Sequence, residues 1–376
     1  MLKILVDATA LRAKPSGIGL YIYHLIDELY KLQEQENFEL NIFYQPSVKN
    51  WIKGNFSAYQ LLQKYSNLNC LPIPVSISHL LATHAKTICS YFDRYLDLPN
   101  LIHGTDHVVY PLPHALKVMN IYDLTFIKYP QFVNSRVKTY SQRVKECLKW
   151  TDLILTISES TKQDIIEDLG VKPEKIYVTY LASRYTKLPQ ISLSIEYLKP
   201  YILFVSTIEP RKNLTNLIAA FNHLKQKHKI EHKLVLIGQK GWRYESIFAA
   251  INNSPYQQDI HHLDYLSDDE VAAFYSQADV FAYPSIYEGF GLPVLEAMTL
   301  NTPVVTSNTS SLPEVVGDAA ILIDPQDPLQ IAEAILQVIS NTHLRQSLIE
   351  KGKKRVKLFS WEKTAQETLK AYRTIL

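Results

Sequence analysis

The sequence predicts an α/β protein built from two doubly wound, Rossmann-like domains facing one another across a cleft. Three observations carry this. The chain has 376 residues, enough for two domains at roughly 100–200 residues each. Short apolar runs alternate with longer stretches whose apolar residues recur at helical spacing. The apolar runs are continuous along their length, which marks parallel strands covered by helices on both faces.

In chain order, residues 2–7, 101–103, 117–122, 153–157 and 176–179 read as strands of the first domain. Residues 201–206, 233–237, 260–263, 280–283, 303–306 and 320–323 read as strands of the second. Between 201–206 and 233–237, the apolar Leu214, Leu217, Ile218, Phe221 and Leu224 fall on one helical face. The stretch 188–200, with Pro189 and Pro200, separates a loop from a fresh strand and is the expected boundary. The domains are therefore expected at 1–190 and 200–358, with the amphipathic segment 360–376 packing back on the first. Such folds bind ligands at the carboxyl ends of their strands.

Composition excludes several classes. The formal net charge is +2, with no basic stripe carrying interleaved aromatics, so nucleic acid is not an expected partner. Cys70, Cys89 and Cys147 are scattered and form no Cys-x-x-Cys pair, which fits a reducing compartment and gives no metal framework. The N-terminal run Met1 to Asp7 has no signal-peptide pattern, and no segment approaches the roughly 20 apolar residues of a membrane span. The expected location is the cytoplasm, with peripheral contact at the inner membrane face left open. Residues 134–149, with Val137, Tyr140, Val144 and Leu148 on one face, are read as a core-packed helix with a solvated basic side. The alternative for 134–149 is a membrane-surface helix, and the aromatic stretch 51–65, with Phe56 and Tyr59, is a second candidate for contacting a lipid-linked acceptor.

The chemistry is expected around Glu288-Gly289-Phe290-Gly291-Leu292-Pro293-Val294-Leu295-Glu296. Two glycines one residue apart permit close backbone approach. Pro293 suits a helix start, so a glycine loop opens into a helix N-terminus, which favours phosphate. Carboxylates accept hydrogen bonds from hydroxyls and repel phosphates. An acid on each side of a phosphate site therefore matches the hydroxyl–phosphate–hydroxyl layout of a sugar nucleotide. A second strand–loop–helix, from Tyr201 to Asn213, sets Arg211 and Lys212 at the loop–helix junction, where they can clamp a diphosphate and stabilise it as it leaves.

At these residues the chain resembles the family-4 retaining glycosyltransferases, whose two Rossmann-like domains form the GT-B arrangement. Glu288 to Glu296 is similar to that family's Glu-x7-Glu motif. Thr207-Ile208-Glu209-Pro210-Arg211-Lys212-Asn213 resembles its diphosphate loop, in the form found in bacterial mannosyltransferase-like members. Gly17-Ile18-Gly19 resembles the family's N-terminal glycine loop, and Phe359-Ser360-Trp361 its closing helix. The resemblance implies that Glu288 contacts donor-sugar hydroxyls, that Glu296 binds the ribose, and that Arg211 and Lys212 hold the diphosphate. It assigns acceptor binding to 1–190 and nucleotide-sugar binding to 200–358, and it places Gly17, Gly19, Thr207, Phe290, Gly291 and Leu292 around the donor phosphates. It also implies transfer of a hexosyl unit from a nucleotide-diphosphate sugar, GDP-mannose first and a UDP-sugar second, to a glycan or lipid-linked glycan, with retention and without a metal or other cofactor. Tyr122-Asp123 stands where similar enzymes carry His-Asp, leaving Asp123 as the matching catalytic candidate. Ser206 stands where Gly is common.

Rival readings are weaker. Gly17-Ile18-Gly19 lacks the third glycine of a dinucleotide fingerprint, since position 22 is Ile22. His103 and His107 lack a third metal ligand and read as a polar loop at a strand end. A catalytically silent sugar-nucleotide-binding protein, or an epimerase of the same fold, is the alternative function.

Overall fold

The computed structural model describes residues 1–12, 17–78, 95–133, 135–189 and 195–376. It divides the chain into two compact units. The first comprises Met1–Leu124, Ser135–Leu181 and Trp361–Leu376; the second comprises Thr125–Asn134 and Ala182–Ser360. The division thus follows Leu181, and the short segment after Leu124 goes with the second unit.

Among the described residues, the first unit holds a seven-stranded sheet in the order β3-β2-β1-β4-β5-β6-β7. Its strands are β1 (Leu2–Asp7), β2 (Phe38–Tyr44), β3 (Leu68–Cys70), β4 (Leu101–Gly104), β5 (Leu116–Asn120), β6 (Leu153–Thr156) and β7 (Ile176–Val178), all parallel. The strand order reverses between β1 and β4, the position at which doubly wound sheets bind ligands. Sequence reading misses β2 and β3. β2 interrupts its apolar residues with Glu39 and Asn41, so no continuous apolar run announces it.

The helix Ile18–Leu32 lays Ile22, Leu25, Ile26 and Leu29 on the sheet, each fully buried. Side chains of this size contribute roughly 1.5–3 kcal/mol apiece when removed from water. The C-terminal helix Trp361–Arg373 packs on it within the same unit. Trp361 stacks on His24 with ring centroids 4.6 Å apart. The Tyr372 hydroxyl donates to His103 Nδ1 at 2.7 Å, and His103 Nε2 meets Asn120 Oδ1. Burial pushes the His103 imidazole down to about 4, so it is neutral, and the acceptor oxygen of Asn120 facing Nε2 puts the single ring proton on that nitrogen. Both ring nitrogens are held by the core.

The helix Ser135–Leu148 buries Val144 and Cys147 and exposes Arg143 and Lys145, as a core-packed helix should. Side chains of residues 134–139 lie outside the described set, as does Cys89. No helix among the described residues is long and apolar enough to cross a membrane.

The second unit holds a six-stranded parallel sheet among the described residues, in the order β10-β9-β8-β11-β12-β13. Its strands are β8 (Tyr201–Val205), β9 (Lys233–Ile237), β10 (Ile260–Leu263), β11 (Val280–Tyr283), β12 (Val304–Ser307) and β13 (Ala320–Ile323). Here the order reverses between β8 and β11. The loops leaving those two strands are 206–213 and 284–291, the two segments that sequence singles out.

Candidate functional site

The two loops of the second unit are tied together by their backbones. Ile286 N–H donates to the Arg211 carbonyl at 2.9 Å, and Asn213 Nδ2 donates to the Pro284 carbonyl at 3.1 Å. Pro210–Lys212 forms a single 3-10 turn, and Asn213, with φ 60°, starts the helix Leu214–His223. The turn aims two cations into the sheet reversal. Arg211 spreads its guanidinium between Glu288 Oε2 and Glu209 Oε1, each at 2.9 Å, and donates to the Tyr287 carbonyl at 2.5 Å. Lys212 Nζ donates to Glu288 Oε1 at 2.6 Å and to the Tyr283 hydroxyl at 2.7 Å. Ser285 Oγ also donates to Glu288 Oε1, at 2.6 Å.

Two carboxylates and two cations thus form one buried cluster, with Glu209, Lys212 and Glu288 exposed by only 3%, 5% and 7%. Burial alone would raise the Glu288 carboxyl, but Arg211 and Lys212 outweigh it and hold it at about 2. Burial, with Arg211's like charge, pulls the Lys212 ammonium below its ordinary value. The formal charge of the cluster is zero.

Gly291 caps the helix Leu292–Thr299 with φ 102°, a backbone that suits glycine. A Cβ there would stand 2.6 Å from Leu312 Cδ2. Pro293 occupies the first turn. Glu296, 2% exposed, faces a different partner from Glu288: Arg184 Nε donates to Glu296 Oε1 at 2.7 Å, and Arg184 Nη1 to Asp268 Oδ1 at 2.8 Å. Burial raises the Glu296 carboxyl above its ordinary value even though Arg184 opposes it.

Residues 192–355 match the family model described as glycosyl transferases group 1. The whole chain is 30% identical to the O-antigen chain mannosyltransferase B of Escherichia coli, covering 100% of both proteins. This chain belongs to that glycosyltransferase family. It is also 32% identical to the MMP alpha-(1->4)-mannosyltransferase of Mycolicibacterium hassiacum, over 58% of this chain and 53% of that protein. The sucrose-phosphate synthase structure from Thermosynechococcus elongatus superimposes with a TM-score of 0.73 at 20% identity, covering 100% of this chain and 99% of that one. The fold is that of the GT-B glycosyltransferases.

In this glycosyltransferase, the second unit brings together Arg211, Lys212 and Glu288, with Thr207 on the same loop as the two cations. Phe290 is buried against Phe359, with ring centroids 5.8 Å apart. Gly17, Gly19 and Asp123 belong to the first unit. Gly17 caps the helix Ile18–Leu32 with φ 51°, and Gly19 is buried in its first turn. Asp123 follows β5. Its neighbour Tyr122 is buried and donates its hydroxyl to the Thr105 carbonyl at 2.5 Å, so that hydroxyl is committed within the first unit.

Sequence reasoning missed Arg184 and the clamping role of Glu209. Glu209 lies within the 207–213 loop, and its place two residues before Arg211 is the signal that marks it. Arg184 lay in a loop beside the expected boundary, with nothing local to mark it.

Proposed function

We propose that this glycosyltransferase moves a mannosyl unit from GDP-mannose to a glycan or lipid-linked glycan in polysaccharide assembly, with retention at the anomeric carbon. The observation that carries the reading is the buried Arg211–Lys212–Glu288–Glu209 cluster at the strand reversal of the second unit, beside a glycine-capped helix start. The mannosyl choice rests on the printed names of the relatives from Escherichia coli and Mycolicibacterium hassiacum.

In this reading, the acceptor hydroxyl attacks the anomeric carbon on the face of the leaving group. The bond from that carbon to the phosphate oxygen breaks as the new glycosidic bond forms, and a donor phosphate oxygen takes the acceptor's proton. Arg211 and Lys212 carry the departing diphosphate. The backbone N–H groups from Phe290 to Leu292, with Thr207, complete its cradle. Glu288 holds both cations in place and offers its remaining lone pairs to donor-sugar hydroxyls, and Glu296 does the same for the ribose. On the family resemblance alone, Gly17 and Gly19 are assigned to the donor phosphates and Asp123 to the reacting carbon. Because the charge cluster is already neutral, a diphosphate must draw the cations partly away from their carboxylates. That displacement offsets part of the electrostatic stabilisation that the two cations then give the departing diphosphate.

The test is turnover on a panel of GDP-, UDP- and dTDP-sugars, read as nucleotide diphosphate release, with the product's anomeric configuration read by NMR. GDP-mannose turnover with an α-linked product is expected. Turnover of a UDP-sugar alone replaces the donor assignment. Binding without release leaves a sugar-nucleotide-binding protein, and an inverted product overturns retention.

A further inference from the structure

The first unit contains a cavity of about 250 Å³ that the donor site does not use. It opens at the carboxyl ends of β1 and β2 and under the loop after β4, so it lies at the reversal of strand order in that sheet, where ligands of doubly wound folds sit. The volume is just under the roughly 300–1,000 Å³ of sites for drug-sized ligands.

The lining has a definite chemistry. Asp7 closes β1, Asp106 follows β4, Arg12 stands in the loop after β1, and Arg143 comes from the helix Ser135–Leu148. Tyr59 and Tyr140 supply aromatic wall. Asp7 Oδ1 accepts the Thr9 N–H at 2.8 Å, which fixes the carboxylate at the end of its strand. Arg143 lies over the Tyr140 ring, 5.8 Å from its centroid. Among the described lining residues, the two carboxylates and two guanidiniums cancel formally. Burial, which Thr9 opposes and Asp106 reinforces, pushes the Asp7 carboxyl up to about 6, and burial raises Asp106 as well.

We infer that this cavity binds the terminal ring of a neutral hexoside, and that the acceptor of the proposed transfer is an uncharged glycosyl terminus. Carboxylates accept hydrogen bonds from ring hydroxyls and guanidiniums donate to hydroxyl or ring oxygens, so all four charged groups suit a polyol. The aromatic faces of Tyr59 and Tyr140 suit the positively polarised C–H edge of a pyranose. An added phosphate meets two carboxylates as well as two arginines, and gains no net attraction from a neutral lining.

The word acceptor rests on the transferase reading; the ligand class does not. The experiment is saturation-transfer NMR on the full chain, without donor, using methyl α-mannopyranoside and mannose 6-phosphate. The neutral glycoside should bind, and Asp106→Asn and Tyr59→Ala should each weaken it at least tenfold with thermal melting preserved. Tyr59 is a half-buried wall residue, so its variant keeps the test alive if Asp106→Asn fails to fold. Mannose 6-phosphate should bind at least tenfold more weakly. Equal or tighter binding of the phosphate, or glycoside binding unchanged in both variants, overturns the inference. Donor turnover in the sugar-nucleotide panel with no glycoside binding sinks the cavity assignment alone. Glycoside binding at the cavity with no nucleotide sugar bound sinks the transferase reading and leaves the cavity standing.

Discussion

Replacing Glu288 with Gln removes one negative charge from a cluster whose charges cancel, and leaves Lys212 and Arg211 with Glu209 as their nearest carboxylate. The amide keeps the shape and part of the hydrogen bonding to Ser285 and Tyr283, so the change is mainly electrostatic. Two routes give its size. Removing one partner of a buried ion pair costs on the order of 3–5 kcal/mol. Independently, the fall of the carboxyl from an ordinary 4.5 to about 2 corresponds to about 3 kcal/mol, at about 1.4 kcal/mol per tenfold change in proton affinity. Because the folded value lies below the unfolded one, this stabilisation is complete above the unfolded value near 4.5 and fades as pH falls toward 2. For a unit of this size, about 3 kcal/mol lowers Tm by roughly 6–12 °C. Calorimetric melting of wild type and E288Q at pH 7 and at pH 3 checks both parts. The gap should be large at pH 7 and shrink to about half or less at pH 3. A variant that melts within about a degree of wild type at pH 7, or a gap that ignores pH, refutes the account of the cluster.

Gly291→Ala puts a Cβ 2.6 Å from Leu312 Cδ2 at a backbone φ of 102°. It should cost about 1–3 kcal/mol and weaken GDP binding in a calorimetric titration; unchanged affinity argues against a phosphate cradle there. Arg184→Ala deprives the buried Glu296 of its cation and should destabilise by about 2 kcal/mol. Combined with Glu296→Gln in a thermal-melt cycle, it should show a coupling of about 0.5–3 kcal/mol, whereas strict additivity says the pair is not a unit. Tyr372→Phe removes the hydroxyl that His103 Nδ1 accepts and should cost about 1–3 kcal/mol. Amide exchange across Trp361–Arg373 should quicken, and exchange at the wild-type rate counts against that contact as the helix's anchor.

Much of the fold is legible in local pattern. In the second sheet the inner strands Tyr201–Val205 and Val280–Tyr283 are continuous, buried apolar runs, and the limits of all six strands fall within a residue or so of expectation. β2 is legible only through its partners: Glu39 and Asn41 break its apolar run, and its place next to β1 is a long-range pairing. The glycine loop and its helix were legible because Gly291 and Pro293 are local signals with local causes. The partners of the two acids were not. Glu288 pairs with residues some 76 positions away, and Glu296 with Arg184, 112 positions away. Residue type told that Arg211 and Lys212 were present at the loop; only the folded loops told that both already hold carboxylates.

The return of the helix Trp361–Arg373 to the first unit sets an order of events during synthesis. The second unit has all its residues once Ser360 has left the ribosome, whereas the first still lacks the helix that covers His24 and His103. The part of the chain made first is therefore the part completed last. Until then it exposes the apolar ground on which Ala365, Leu369 and Tyr372 will lie, a patch suited to chaperone capture, and a ribosome stalled just past Ser360 would hold the protein with one unit finished and the other open.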